Sequence, residues 1–192
     1  MTYLIIGLIV FLGVHSIRIF SEDVRTRLRT QWGENVYKGI YSVISLLGFG
    51  MVVWGFGVAR ETPVVLWTPP IGMRHLASLL TLLAFVLLAA TYIPGNAIKA
   101  RVHHPMVLSV KTWALAHLLA TGTAAHLLLF GSFLIWAVLS FVAARRRDRA
   151  QRVVYAAGTL QATGLTLVVG IAAWAAFAFY LHGALIGIRP LG

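Results

Sequence analysis

Apolar residues fall in long blocks separated by short polar connections, and block length carries more information than periodicity. Thr2 to Phe20 is apolar almost throughout, as are Tyr37 to Val58, residues 73 to 93, Pro105 to Ala144 and a stretch within Thr159 to Leu185. An α-helix needs roughly 20 such residues to cross a bilayer. The blocks therefore predict transmembrane helices. A chain of 192 residues leaves no room for a soluble domain beside them, so residues 1–192 read as one transmembrane domain. Pro63, Pro69-Pro70 and Pro94-Gly95-Asn96 mark connections, because proline lacks an amide donor and proline and glycine favour turns.

Pro105 to Ala144 is too long for one ordinary crossing, and charge decides how it divides. A single helix would place Arg145, Arg146, Arg147, Arg149 and Arg152 on the outer side, against the rule that basic connections stay inside. A turn at Thr121-Gly122-Thr123 instead makes two spans, Pro105 to Ala120 and Ala124 to Ala144. The fold expected is an all-α, polytopic helical bundle with six spans and both termini outside. Of the 16 Lys and Arg, only Arg60, Arg74 and Arg189 then lie outside. No Lys or Arg precedes Arg18, so the first block lacks the basic start of a cleaved signal peptide and is expected to be retained.

Composition agrees with this pattern and narrows the partners. Hydrophobic residues make up 59% and charged residues 11%, and mean hydropathy is +0.86. These values belong to a membrane protein. The net charge of +11 sits between spans, where it suits anionic lipid headgroups, and no groove-reading motif accompanies it, so nucleic acid is not an expected partner. With no cysteine, thiolate metal sites and iron–sulfur clusters are excluded. Glu22, Asp23, Glu34, Glu61 and Asp148 all fall in predicted connections. That argues against the intramembrane carboxylate relays of proton-coupled transporters.

Histidine is the remaining chemistry. His15, His117 and His126 lie inside predicted spans, where an imidazole usually has a task. His103 and His104 precede Pro105. Without thiolates, paired histidine ligation of a haem iron is an economical use of such residues. Trp113, Ala114, Ala120 and Thr121 share the helix face of His117 and leave room for a flat macrocycle, while Arg18, three residues after His15, could reach a propionate. Against this stand ordinary roles: interhelical hydrogen bonding for a buried histidine, turn bonding for His126, and packing for Phe11, Trp113, Phe130 and Phe133. By depth, His15 falls in the inner half of its span and His117 towards the outer end. If the fourth helix spans fully, His15 would more naturally partner His104, and His117 would partner His126.

The segments FLGVHS at 11–16, YKGIYSVISLLGFG at 37–50, LWTPP at 66–70, IKARVHHPM at 98–106 and KTWALAHLLATG at 111–122 resemble the NnrU family of bacterial integral membrane proteins. The resemblance implies the bacterial inner membrane and a context of denitrification, in which family members accompany a nitrite or nitric oxide reductase system. The family is in turn similar to the plastid 15-cis-ζ-carotene isomerase, which carries haem b. The histidines of its HS and LAH motifs correspond to His15 and His117 here, so the resemblance implies these two as iron ligands; helical spacing sets Arg18, Trp113 and Ala114 beside the expected cofactor, and depth leaves His104 and His126 as the alternative ligands. A cysteine of the isomerase stands where this chain has Ala114, which speaks against ligand exchange at that position. The expected role is electron transfer or haem handling. Isomerisation of an apolar polyene, a membrane methyltransferase suggested by HHPM at 103–106, and haem-free assembly are the competing readings. A reporter fused after Arg152 is expected on the cytoplasmic side, and export of that reporter would refute the helical hairpin.

Overall fold

The computed structural model describes residues 1–191. Helices α1 (Thr2–Phe20), α2 (Glu22–Trp32), α3 (Glu34–Glu61), α4 (Gly72–Tyr92), α5 (Ala97–Val102), α6 (Pro105–Ala120), α7 (Ala124–Ala150) and α8 (Leu160–Ala176) follow in order, and α8 continues through a π-helical turn, Phe177–Leu181, into α9 (His182–Ile186). The described residues contain two isolated β-bridges and no strand. Five helical segments are long and apolar enough to cross a membrane: Thr2–Phe20, Glu34–Ala59, Gly72–Tyr92, Ala124–Ala150 and Leu160–Ile186. α6 is apolar but has only 16 residues. Many large apolar side chains, among them Leu46, Leu47, Ile135, Val168 and Tyr180, face outward. Hydrocarbon accepts such a surface where water would not.

Two helices differ from the expected pattern. Residues 21–36, read as a plain connection, contain α2, whose Arg25 binds Glu22 at 2.6 Å. The polar turn after α4 continues into α5, because Asn96 caps it: its side chain accepts from Lys99 N at 2.7 Å and donates to Ala90 O at 2.9 Å. The hairpin at 121–123 forms where expected. Thr123 is the N-cap of α7 and Thr159 that of α8, each satisfying an amide that the first helical turn leaves free.

The helices pack as a serpentine, α3 on α1, α1 on α7, α7 on α6, α6 on α4 and α4 on α8, with a smaller contact between α3 and α7. α1 and α3 meet through glycine: a Cβ on Gly7 would lie 2.6 Å from Val52 N, and one on Gly48 would lie 2.8 Å from Phe11 N. Backbones this close gain dispersion contact without any hydrophobic driving force, as membrane helices require. Leu4, Leu8, Val52, Ala114, Ala125 and Phe130 form the buried centre where α1, α3, α6 and α7 converge.

Loop contacts fix the helix ends at two levels. At one end the α3–α4 connection bonds to the α6–α7 turn, Leu66 N to Gly122 O at 2.8 Å and Ala124 N to Val64 O at 2.9 Å. At the other, basic end, Arg147 donates to Arg18 O at 3.2 Å and Thr159 N to Gly95 O at 2.8 Å. α6 runs from the second level to the first. Gly7→Ala should force α1 and α3 apart at a cost of about 1–3 kcal/mol, read as a lower unfolding temperature in detergent. Gly50→Ala, at a glycine with open space around it, should not lower it.

Candidate functional site

At the basic end, a cavity of about 690 Å³ lies between α1, α2, α3, α6 and α7. This is the size range of small-molecule and cofactor sites. It forms because α3, which reaches α7 at the opposite end through Phe56 against His126 and Phe130 at 5.1 and 6.5 Å, does not pack on α6. His15, Trp136, Val14 and Val107 line its deeper part, while Arg18, Arg25, Lys38 and Arg147 supply its charge, with Glu22 and Asp148 as the carboxylates.

His15 Nδ1 lies 2.6 Å from Phe11 O, four residues back on α1. A carbonyl can only accept, so the proton is assigned to Nδ1 and Nε2 keeps its lone pair. This is the disposition of a metal-binding helix histidine. The ring packs against Phe11 at 4.3 Å, Tyr41 at 5.3 Å and Trp136 at 6.2 Å. Trp136 Nε1 is buried and, among the described residues, has no hydrogen-bond partner. A lone donor is costly in a dry interior, so this one marks a place where a ligand acceptor would be stabilised.

His104, the N-cap residue of α6, also lines the cavity. Its Nε2 meets Asp148 Oδ2 at 2.9 Å, and Tyr155 donates its hydroxyl to the same oxygen at 3.0 Å. Arg145 lies 3.7 Å from that carboxylate, and His103 stands edge-on to Tyr155 at 4.2 Å. Burial pushes the Tyr155 phenol above its ordinary 10.0, and the hydrogen bond to the anionic Asp148 adds to this.

His117 lies elsewhere. Its Nδ1 bonds Trp113 O at 2.8 Å, its ring stacks on Phe130 at 4.4 Å, and it is not among the residues lining the cavity. His15 contacts Trp136 whereas His117 contacts Phe130, six positions earlier on α7, a rise of roughly 9 Å. The rings of Phe11, Phe133 and Trp113 occupy the intervening space, with successive centroids 5.9 and 5.6 Å apart. Two nitrogens bound to one metal at about 2 Å each lie only about 4 Å apart. His15, His104 and Arg18 therefore line one cavity, and His117 is not part of its lining. His126 shares the Phe130 ring with His117, at 6.0 Å, and its Nδ1 meets Thr123 Oγ1 at 2.6 Å in the turn. Trp113 and Ala114 sit in the packed centre, Ala114 with no exposure.

No group of three or more His, Asp or Glu among the described residues is placed to hold a bare metal ion. A haem needs fewer protein ligands, since the macrocycle supplies four nitrogens. Trp136, Tyr41 and the Asp148–Tyr155 pair are parts of this region that sequence reading missed. Asp148 was visible only as the single acid within a basic run, and its histidine partner is 44 positions away. The profile of the family described as NnrU protein matches residues 3–190, so the chain belongs to the NnrU family. No curated protein and no solved structure matches it. Asp148→Asn should return the Tyr155 ionisation towards 10.0, measured by ultraviolet titration against a Tyr155→Phe control. Because the raised value favours the neutral phenol in the fold, the stabilisation persists below the ordinary tyrosine range and is lost as pH climbs through the raised value.

Proposed function

We propose that this member of the NnrU family is a six-span protein of the bacterial inner membrane, with both termini outside, that binds haem b in the basic-end cavity and supports electron transfer or haem handling in nitrogen-oxide respiration. Six crossings are favoured because α6 joins the same two levels as the longer helices although it has 16 residues. The termini follow from charge, since Arg25, Arg27, Arg29 and the 145–152 run gather at one end and basic ends stay cytoplasmic.

The observation that carries the cofactor reading is His15 Nε2, left free by the Nδ1 bond to Phe11 O and set in a cofactor-sized cavity. The donor set fits haem. His15 would hold the iron, Trp136 and Tyr41 would border the macrocycle, and Arg18 and Arg147 would meet its carboxylates. His104 is the second ligand candidate through Nδ1, because Asp148 occupies its Nε2 and orients the ring as second-shell carboxylates do. This reading gives His104 the role that the family resemblance implied for His117. A haem bound there would supply one-electron exchange. The surrounding residues bind and orient it, keep the His15 proton on Nδ1, and exclude water through the packed centre above.

Protein purified in mild detergent from a haem-sufficient host should show a Soret band. His15→Ala should remove it and His104→Ala should shift or weaken it, whereas His117→Ala should leave it unchanged. A colourless wild-type protein, or a band lost with His117→Ala and kept with His15→Ala, would overturn the assignment.

A further inference from the structure

The walls of the cavity differ in how they are closed. On the side of the membrane surface, α7 is tied to α1 across the opening by Arg147, which donates to Arg18 O at 3.2 Å, and α2 is held to the end of α1 by Glu22, 3.7 Å from Arg18. His104 and Tyr155 both hold Asp148 nearby. The wall between α3 and α6 has nothing comparable. Both helices line the cavity, α3 with Tyr37, Lys38, Tyr41 and Ser42 and α6 with Val107, yet they do not pack on each other. Among the described residues no hydrogen bond or ion pair joins them, and Ser42 is exposed at the gap.

The lining also has a chemical polarity. Val14, Ile19 and Val107 offer apolar surface. Trp136 Nε1 is a donor without an acceptor, and Arg147 meets no carboxylate within ion-pair distance among the described residues. Although Glu22 Oε2 is likewise an acceptor without a donor among the described residues, Arg18, Arg25, Lys38 and Arg147 outnumber the carboxylates Glu22 and Asp148 in the lining, so a complementary ligand carries an apolar body and acceptor oxygens at one edge. Such a molecule partitions into the bilayer with its charged edge at the headgroups. The membrane-surface opening is the costlier route for it, since the Arg147 to Arg18 O bond crosses there, while no hydrogen bond or ion pair among the described residues spans the α3–α6 gap.

We propose that the cavity exchanges its ligand sideways with the bilayer, between α3 and α6, and that this ligand is a flat amphiphile with carboxylates along one edge, which enters body first and is held by Arg18 and Arg147. The proposal rests on the haem reading above and adds the route and the orientation. It assigns α3 and α6 the two sides of a portal, with Ser42 and Val107 on facing jambs.

The absence of native cysteine makes the test clean. In Ser42→Cys/Val107→Cys, a bis-maleimide reagent can bridge the gap, with each single-cysteine variant treated alike as a control. Haemin preloaded in phosphatidylcholine vesicles is the probe, and its transfer to the protein is followed at the Soret band. Bridging before haemin is added should slow uptake about tenfold or more, as closing an access path does, and bridging after loading should slow release to empty vesicles similarly. The unbridged double variant, and each single-cysteine variant after the same treatment, set the reference rate against which the bridged protein is read. Equal uptake by bridged and unbridged protein would overturn the lateral route while leaving the haem reading intact. Failure of unbridged and wild-type protein to bind haemin at all would overturn both.

Discussion

The point at which α6 stops sets the depth of most polar groups in the bundle. Residues 64–67 hold the turn at 122–124 through backbone hydrogen bonds. With that turn pinned, His117 is held near one end of the bundle and His104 at the other. α7, returning from the same turn, carries Phe130 to the first histidine and Asp148 to the second. The separation of His117 from His104 is therefore a consequence of helix length and loop bonding rather than of imidazole chemistry.

Packing divides the molecule into a tight part and a loose part. Glycine lets α1 and α3 approach backbone to backbone, and the aromatic rings of Phe11, Trp113, Phe130 and Phe133 fill the junction with α6 and α7. Near α2 the same helices carry Arg18, Tyr41, His104 and Trp136 instead. Bulky and charged side chains cannot close as alanine and glycine do, so space remains. The cavity and the dense core are two results of one gradient in side-chain size along four helices.

Much of this was legible in the sequence, for reasons that differ by feature. The five long helices follow from block length, and the hairpin at Thr121-Gly122-Thr123 follows from the charge of residues 145–152 combined with one short polar turn. The set of candidates was legible too: His15, Arg18 and His104 are polar residues in or beside apolar blocks. Their partners were not. Asp148 lies 44 positions from His104 inside an arginine run whose topological meaning hides any other. Trp136 reads as one more aromatic in an apolar helix until its indole nitrogen is found without an acceptor. α2 and α5 escaped notice because short helices held by local caps and ion pairs leave no long apolar mark. His15 and His117 resemble ligands equally well in sequence, each bonded to the carbonyl four residues back. Only their different heights separate them.

The shortness of α6 has a mechanical consequence for the lipid around it. Its 16 residues rise about 24 Å, against a hydrocarbon thickness of roughly 30 Å. Under the six-span reading proposed above, a stave this short would pull the adjoining headgroups inward and thin the leaflet locally. One end of that short stave is Pro105, beside the cavity-lining His104. A dimple of this kind would draw the protein towards thin or curved membrane.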